Sequence, residues 1–191
     1  MALYLGHRRS IDFDWFTPKS IAPVDLLADV RAMGFPVEVI QNTEGTFLAT
    51  VAGVSFTVFR YKYRLLAPPT KIDGCNVAAL PDLAAMKLLA IYQRGTKKDF
   101  MDVHELLERR LFKLPDMLQA FREKFGIEDT GELLRALVYF EDAEALPMPQ
   151  MVVRRAWDEV KAGMWRHMTA LTGQRPPLSK TKKRVSKRSK R

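Results

Sequence analysis

The chain has 191 residues, 47% of them hydrophobic and 28% charged, an ordinary balance for a globular protein with a proper core. Its longest apolar stretches, such as LPDLAAMKLLAIY, fall far short of the roughly 20 residues of a membrane-spanning helix, and no basic start followed by an apolar run marks an export signal. A single cysteine, Cys75, excludes a disulfide framework, so a cytoplasmic protein with no membrane attachment is expected.

The net charge of +9 is concentrated at one end. Nine of the 31 Lys and Arg residues lie from Gln174 onward with no acid among them, and the remaining 22 equal the 22 Asp and Glu. The body is formally neutral. Residues 174–191 lack the apolar groups needed to fold and form an expected disordered basic tail. Such a tail would bind RNA phosphates without sequence preference, since it has no interleaved aromatics to read bases.

In chain order, ALYLGHRR is the end of a helix closed by Gly6, and SIDFDWF alternates as a strand does. VDLLADVRAMGF has apolar residues at helical spacing up to Gly34. PVEVIQ, GTFLATVAG and VSFTVFRYKYRLL are three strand-like runs with Gly or Asn between them, a meander. From Pro81 the pattern becomes helical throughout. PDLAAMKLLAIYQRG, KKDFMDVHELLERR, LPDMLQAFREKFG, TGELLRALVYFEDAE and residues 150–172 predict five helices. The expectation is an α+β protein: a small mixed-sheet domain over residues 1–78, an all-helical domain over 79–173, then the tail.

Two clusters carry chemistry. Asp12 and Asp14 are two apart on a strand and share a face, alternating with Ile11, Phe13 and Trp15 on a face expected to be buried. Like charges so close need a cation or open water. Hard ions such as Mg²⁺ suit them, because such ions take a carboxylate or two and keep waters for phosphates to replace. Ser10 adds a hydroxyl beside that place. In the second cluster Lys87 and Arg94, seven apart, share a helical face, as do Asp99 and Asp102, three apart. Cations beside a metal-binding acidic pair suit a nucleoside triphosphate. The plain alternatives are a solvent-facing strand edge for the first cluster. For the second they are a salt-bridged surface of Lys97, Lys98, Asp99 and Asp102, or buried aspartates holding loop backbone. His7 and His104 are isolated and structural, with no zinc-ligand spacing, and Trp157 and Trp165 are core.

Together, ALYLGHRRSIDFDWF and, some 65 residues on, LPDLAAMKLLAIYQRGTKKDFMDVHELL resemble the AbiEii/AbiGii nucleotidyltransferase toxins, relatives of the polymerase-β superfamily. The resemblance runs through residues 2–107. It implies Mg²⁺-dependent transfer of a nucleoside monophosphate from an NTP to an acceptor, tRNA or protein, by a toxin paired with an antitoxin. It implies metal binding by Asp12 and Asp14, nucleotide contacts by Ser10, Lys87 and Arg94, and catalytic roles for Asp12, Asp14, Lys87, Asp99 and Asp102. Two departures bear on activity. The family's glycine turn would precede ALYLG, so the chain reads as truncated at its N-terminus. The strand VSFTVFRYKY offers Ser55 and Thr57 where a third carboxylate would stand. A catalytically degenerate binder of nucleotide, RNA or antitoxin is the alternative reading.

Overall fold

A computed structural model describes residues 1–20 and 22–176, so all but the first three residues of the expected basic tail lie outside the described residues. The order of elements is α1 (Ala2–Leu5), β1 (Asp12–Thr17), α2 (Pro23–Ala32), β2 (Val37–Thr43), β3 (Thr46–Val51), β4 (Val54–Arg60), β5 (Thr70–Ile72), β6 (Cys75–Val77), α3 (Leu80–Gln93), α4 (Lys97–Glu108), α5 (Leu114–Phe125), α6 (Gly131–Ala136), α7 (Glu141–Glu144) and α8 (Trp157–Thr172). No helix among the described residues is long and apolar enough to cross a membrane.

The meander forms as its turn residues predict: β2, β3 and β4 pair antiparallel, and β1 then joins the β4 edge in parallel, giving a mixed sheet in the order β1-β4-β3-β2. One face of this sheet carries Phe47, Ala49 and Val58, covered by Val30, Leu26 and Leu27 of α2. That cover falls short of β1. Ile11 (72% exposed), Phe13 (56%) and Trp15 (43%) remain in contact with solvent, so the face of β1 expected to be buried is open. Strand alternation reports which residues share a face, and sheet-edge position decides whether anything covers it.

A second, larger core is built from α3, α4, α5, α6 and α8 around Leu88, Phe100, Met101, Leu106, Met117, Phe121 and Met164. Trp157 and Trp165 pack against it as expected, and Phe100, Phe140 and Trp157 meet ring to ring at 5.1–5.8 Å. An aromatic chain runs from β1 to the helical core: Phe16 contacts Tyr61, Tyr61 contacts Tyr63, and Tyr63 contacts Phe125 of α5, with centroids 4.9–5.3 Å apart.

Three local expectations are corrected. The helix expected over residues 130–144 is broken into α6 and α7. The intervening Val138-Tyr139-Phe140 is a β-branched and aromatic run of low helix propensity, and Lys97 Nζ donates to the carbonyls of Glu144 (3.1 Å) and Leu146 (2.7 Å) beyond it. The last helix starts at Trp157, because residues 150–153 are used otherwise: Arg9 donates to Gln150, and Val152 and Val153 both donate to the His7 carbonyl. A hairpin, β5–β6, was absent from the sequence reading. Its turn is Asp73-Gly74, both at positive φ, the dipeptide favoured in tight hairpins.

The segment between β4 and β5 is fastened by a buried ion pair. Asp82, in the first turn of α3, accepts from Lys124 at 2.5 Å and from the backbone N–H groups of Leu66 and Ala67, while Lys124 also donates to the Arg64 carbonyl. Both side chains are fully buried. Lys124→Met leaves that carboxylate without its counter-charge and is expected to lose about 3–5 kcal/mol of stability, read from urea unfolding; an unchanged midpoint would refute the assigned role. A second tight place is the α4–α8 crossing, where a Cβ on Gly163 would stand 2.5 Å from Nε2 of the buried His104. Ala would gain up to ~1 kcal/mol of helix propensity, but overpacking against a ring that cannot move aside costs roughly 1–3 kcal/mol. Gly163→Ala is therefore expected to lower the unfolding midpoint, and a rise would show that the crossing is loose.

Candidate functional site

The α3–α4 turn sets up the site. Gly95, at φ 51, reverses the chain in so little space that a Cβ there would touch the Ile91 carbonyl and the Phe100 ring at 3.4–3.5 Å. This turn brings the Lys87–Arg94 face of α3 onto the Asp99–Asp102 face of α4. Lys87 Nζ lies 2.9 Å from a carboxylate oxygen of each aspartate. Asp99 also accepts from Thr96 Oγ1 at 2.6 Å and from Arg94 Nε at 3.3 Å. Asp102 receives a two-pronged contact from Arg8, Nε at 2.7 Å and Nη2 at 2.8 Å, and lies 2.8 Å from His7 Nε2.

Asp99 and Asp102 are wholly buried, which excludes the solvated, salt-bridged surface considered for this stretch. Their protonation follows from their partners. Burial alone would push the Asp102 carboxyl up, but the hydrogen bonds from Arg8 and His7 and the charge of Lys87 hold it well below the usual carboxylate range. Burial likewise opposes ionisation of Asp99, and Lys87 and Thr96 outweigh it. Lys87 is the mirror case: desolvation would lower its pKa, and Asp102 and Asp99 raise it instead. Asp99, Asp102 and Lys87 thus hold one another in their ionised forms. With its oxygens engaged, the Asp99/Asp102 pair has the geometry of a holder of cations.

The sheet side is different in character. The parallel register of β1 and β4 sets Asp12 beside Ser55 and Asp14 beside Thr57, so the shared face of the two carboxylates is flanked by hydroxyl-bearing residues. Asp14 is exposed and stands outside the buried network. Its charge reaches the amino group of Met1, whose burial lowers its pKa to about 6 against the pull of Asp102 and Asp14. Ser10 is exposed at the entry to β1, its Oγ 3.5 Å from the Asp12 carbonyl oxygen. Asp12 is linked to the helices through Lys98, whose Nζ lies 3.0 Å from Oδ2. Partial desolvation of Asp12 is outweighed by that ammonium, and its pKa is lowered.

The structure thus brings Lys87, Arg94, Asp99 and Asp102 into one network, while Asp12 is tied to the start of α4 by a separate contact with Lys98. Sequence reasoning missed Arg8 and His7 as members, although both lie in the GHRR stretch. His7 is structural as expected, yet its partner is Asp102. Their position is fixed from behind, by the backbone pairing of residues 7–9 with 150–153. Lys98, Asp102, Glu105 and Arg109 then form a stripe along α4 at i, i+4, i+7 and i+11. Arg109 donates to the Leu5 carbonyl at 2.8 Å and to Glu105, which is also paired with Arg155. Reading down this stripe, α4 fastens residues 12, 8, 7 and 5 in turn.

Comparison with known proteins identifies the family and the fold. The family of nucleotidyl transferase AbiEii toxins, of type IV toxin–antitoxin systems, matches residues 1–179. An uncharacterised protein of Aquifex aeolicus is 34% identical over 161 residues, covering 82% of this chain and 76% of the relative. Two Helicobacter pylori crystal structures share the fold. One, described as a candidate nucleotidyltransferase, has a TM-score of 0.56 at 19% identity, covering 89% of this chain and 82% of the other. The second, JHP933, has a TM-score of 0.50 at 17% identity, covering 89% and 80%. With both sequence blocks, the mixed sheet and the helical cluster inside the matched region, the chain belongs to the AbiEii nucleotidyltransferase toxin family.

Proposed function

We propose that this protein transfers a nucleoside monophosphate from an NTP to an acceptor, as the toxin partner of an antitoxin. The observation that carries the reading is the face of β1 opposite Phe13 and Trp15, where Asp12 and Asp14 stand two residues apart, Asp14 exposed and Asp12 3.0 Å from the ammonium of Lys98. The donor set suits a hard divalent ion. Two carboxylates flanked by Ser55 and Thr57 are oxygen donors only, and among the described residues no three His, Cys, Asp or Glu side chains gather into a self-sufficient cage. That pattern fits an ion that arrives with phosphates and waters completing its shell. When bound, Mg²⁺ would neutralise charge on the triphosphate and on the leaving pyrophosphate.

In this reading Asp12 and Asp14 hold the metal, and Ser10 and Arg94, which keep solvent-exposed surface, are assigned to the phosphate oxygens. Lys87 acts from a fixed position, since Asp99 and Asp102 hold its ammonium; those two aspartates and Arg8 position charge without touching substrate. Ser55 and Thr57 cannot take a proton from the acceptor as a carboxylate would, so deprotonation falls to Asp12, Asp14 or solvent. That feature also supports the second reading, a binder of nucleotide, RNA or antitoxin without chemistry. We read the acceptor as an RNA end or a protein hydroxyl.

The test is the unfolding temperature of the full chain with each NTP, with and without Mg²⁺. A site of this kind gives a rise that needs both, worth about 2.7 kcal/mol at a hundredfold excess over Kd. Asp14→Asn and Asp12→Ala are expected to remove the rise and to abolish NTP-dependent labelling of an acceptor, while the ligand-free midpoint shifts by no more than the loss of an exposed ion pair, about 0–1 kcal/mol. Equal Mg²⁺–NTP stabilisation of wild type and both variants would sink the assignment. Stabilisation without labelling of any RNA or protein acceptor would favour the non-catalytic binder.

A further inference from the structure

We infer that Lys98 is an exchange cation: it neutralises Asp12 in the nucleotide-free protein and moves to the phosphate chain of the substrate once a divalent ion takes that carboxylate. This rests on the reading of Asp12 and Asp14 as the metal pair.

The cations around the site fall into two kinds. Arg8 is gripped by both oxygens of Asp102 and is only 9% exposed. Lys87 lies between two buried carboxylates. Lys97 is buried and donates to two backbone carbonyls. None of these can leave without stranding a buried charge or carbonyl, a large penalty. Arg94 is 57% exposed, but its partner Asp99 is wholly buried; Lys98 is the contrast, because its partner too is partly open to solvent. Its side chain is 38% exposed, and it contacts Asp12, itself 29% exposed, at 3.0 Å. A partly exposed pair of this kind contributes less than a fully buried one, so this contact is the one most easily given up.

The chemistry then dictates the exchange. An ammonium and a divalent cation on one carboxylate repel each other, and the stronger charge keeps the carboxylate. The released ammonium is a compact charge with three donors on a flexible four-carbon stem. Its base is fixed at the second residue of α4, beside the metal pair, so the phosphates that accompany the metal are the nearest anions. The competing account is that Lys98 is a permanent strut between α4 and β1. The two accounts differ in sign. If Lys98 competes with the metal, removing it tightens the binding of metal alone and weakens the binding of phosphate. A strut removed can only weaken binding or leave it unchanged.

The experiment uses the full chain as wild type, Lys98→Met, Lys98→Gln and Asp12→Ala, the Gln variant serving if Met perturbs folding. Mn²⁺ alone is titrated by electron paramagnetic resonance, and inorganic tripolyphosphate with Mg²⁺ by calorimetry. The expected result is Mn²⁺ binding roughly three- to fivefold tighter in the Lys98 variants, the scale of an exposed ion pair. Tripolyphosphate is expected to bind roughly tenfold or more weaker, the scale of a hydrogen bond to a charged group. Unchanged or weaker Mn²⁺ binding in the Lys98 variants, with binding abolished in Asp12→Ala, overturns the exchange and leaves the metal assignment standing. Mn²⁺ binding that survives Asp12→Ala overturns the metal assignment and the exchange with it, and Mn²⁺ binding absent from every protein, the Lys98 variants included, overturns the exchange, because Lys98 is then not what keeps the ion from Asp12.

Discussion

Much of this molecule hangs on one buried carboxylate. Asp102 lies in the larger core with no exposed surface and is kept ionised there by Arg8, His7 and Lys87. Breaking a buried pair of this kind costs about 3–5 kcal/mol, against about 0–1 for an exposed one. The magnitudes therefore divide the polar contacts into two sets. Those on Asp102, Asp99 and Asp82 define where the chain must run. The Lys98–Asp12 contact defines only where a charge rests.

The consequence reaches the sheet. Among the described residues, β1 has a neighbour on one side only, β4, and no helix lies over its Ile11–Trp15 face. What holds its entry in place is the segment before it: His7 and Arg8 on Asp102, with residues 150–153 pairing from behind. The two aspartates of β1 can stay open to solvent because the ordering is done four residues upstream by groups that are fully enclosed. Rigidity and exposure are assigned to different residues of one short stretch.

This division explains what the sequence could and could not tell. Lys87 with Arg94, and Asp99 with Asp102, were legible as two faces, because helical spacing is local, and Gly95 announced the turn between them. That Ser55 and Thr57 share a face was legible from strand alternation, and the family resemblance implied that their strand stands beside Asp12 and Asp14. Arg8 and His7 were not. Their partner lies 94 and 95 positions away, and nothing within GHRR distinguishes a buried anchor from a basic helix end. The open side of β1 was misjudged for a related reason: alternation names the two faces of a strand, and only the packing of α2 over β3 and β4 decides which is covered. The Asp73-Gly74 hairpin was there to be read, its turn dipeptide being the ordinary hairpin signal.

The distance between Arg8 and Asp102 also has a temporal side. A ribosome adds roughly 5–20 residues each second, so the first dozen residues exist for some 5–20 seconds before the helix that fastens them has been made. Through that interval the basic and aromatic stretch HRRSIDFDWF has no carboxylate stripe to join, and β1 has no β4 beside it until residue 60 follows. The α3–α4 pair, by contrast, closes within a span of 12 residues from Lys87 to Asp99. The residues that hold the entry to β1 are therefore made well before the partner that fixes them, whereas the α3–α4 pair is fixed almost as soon as it is made.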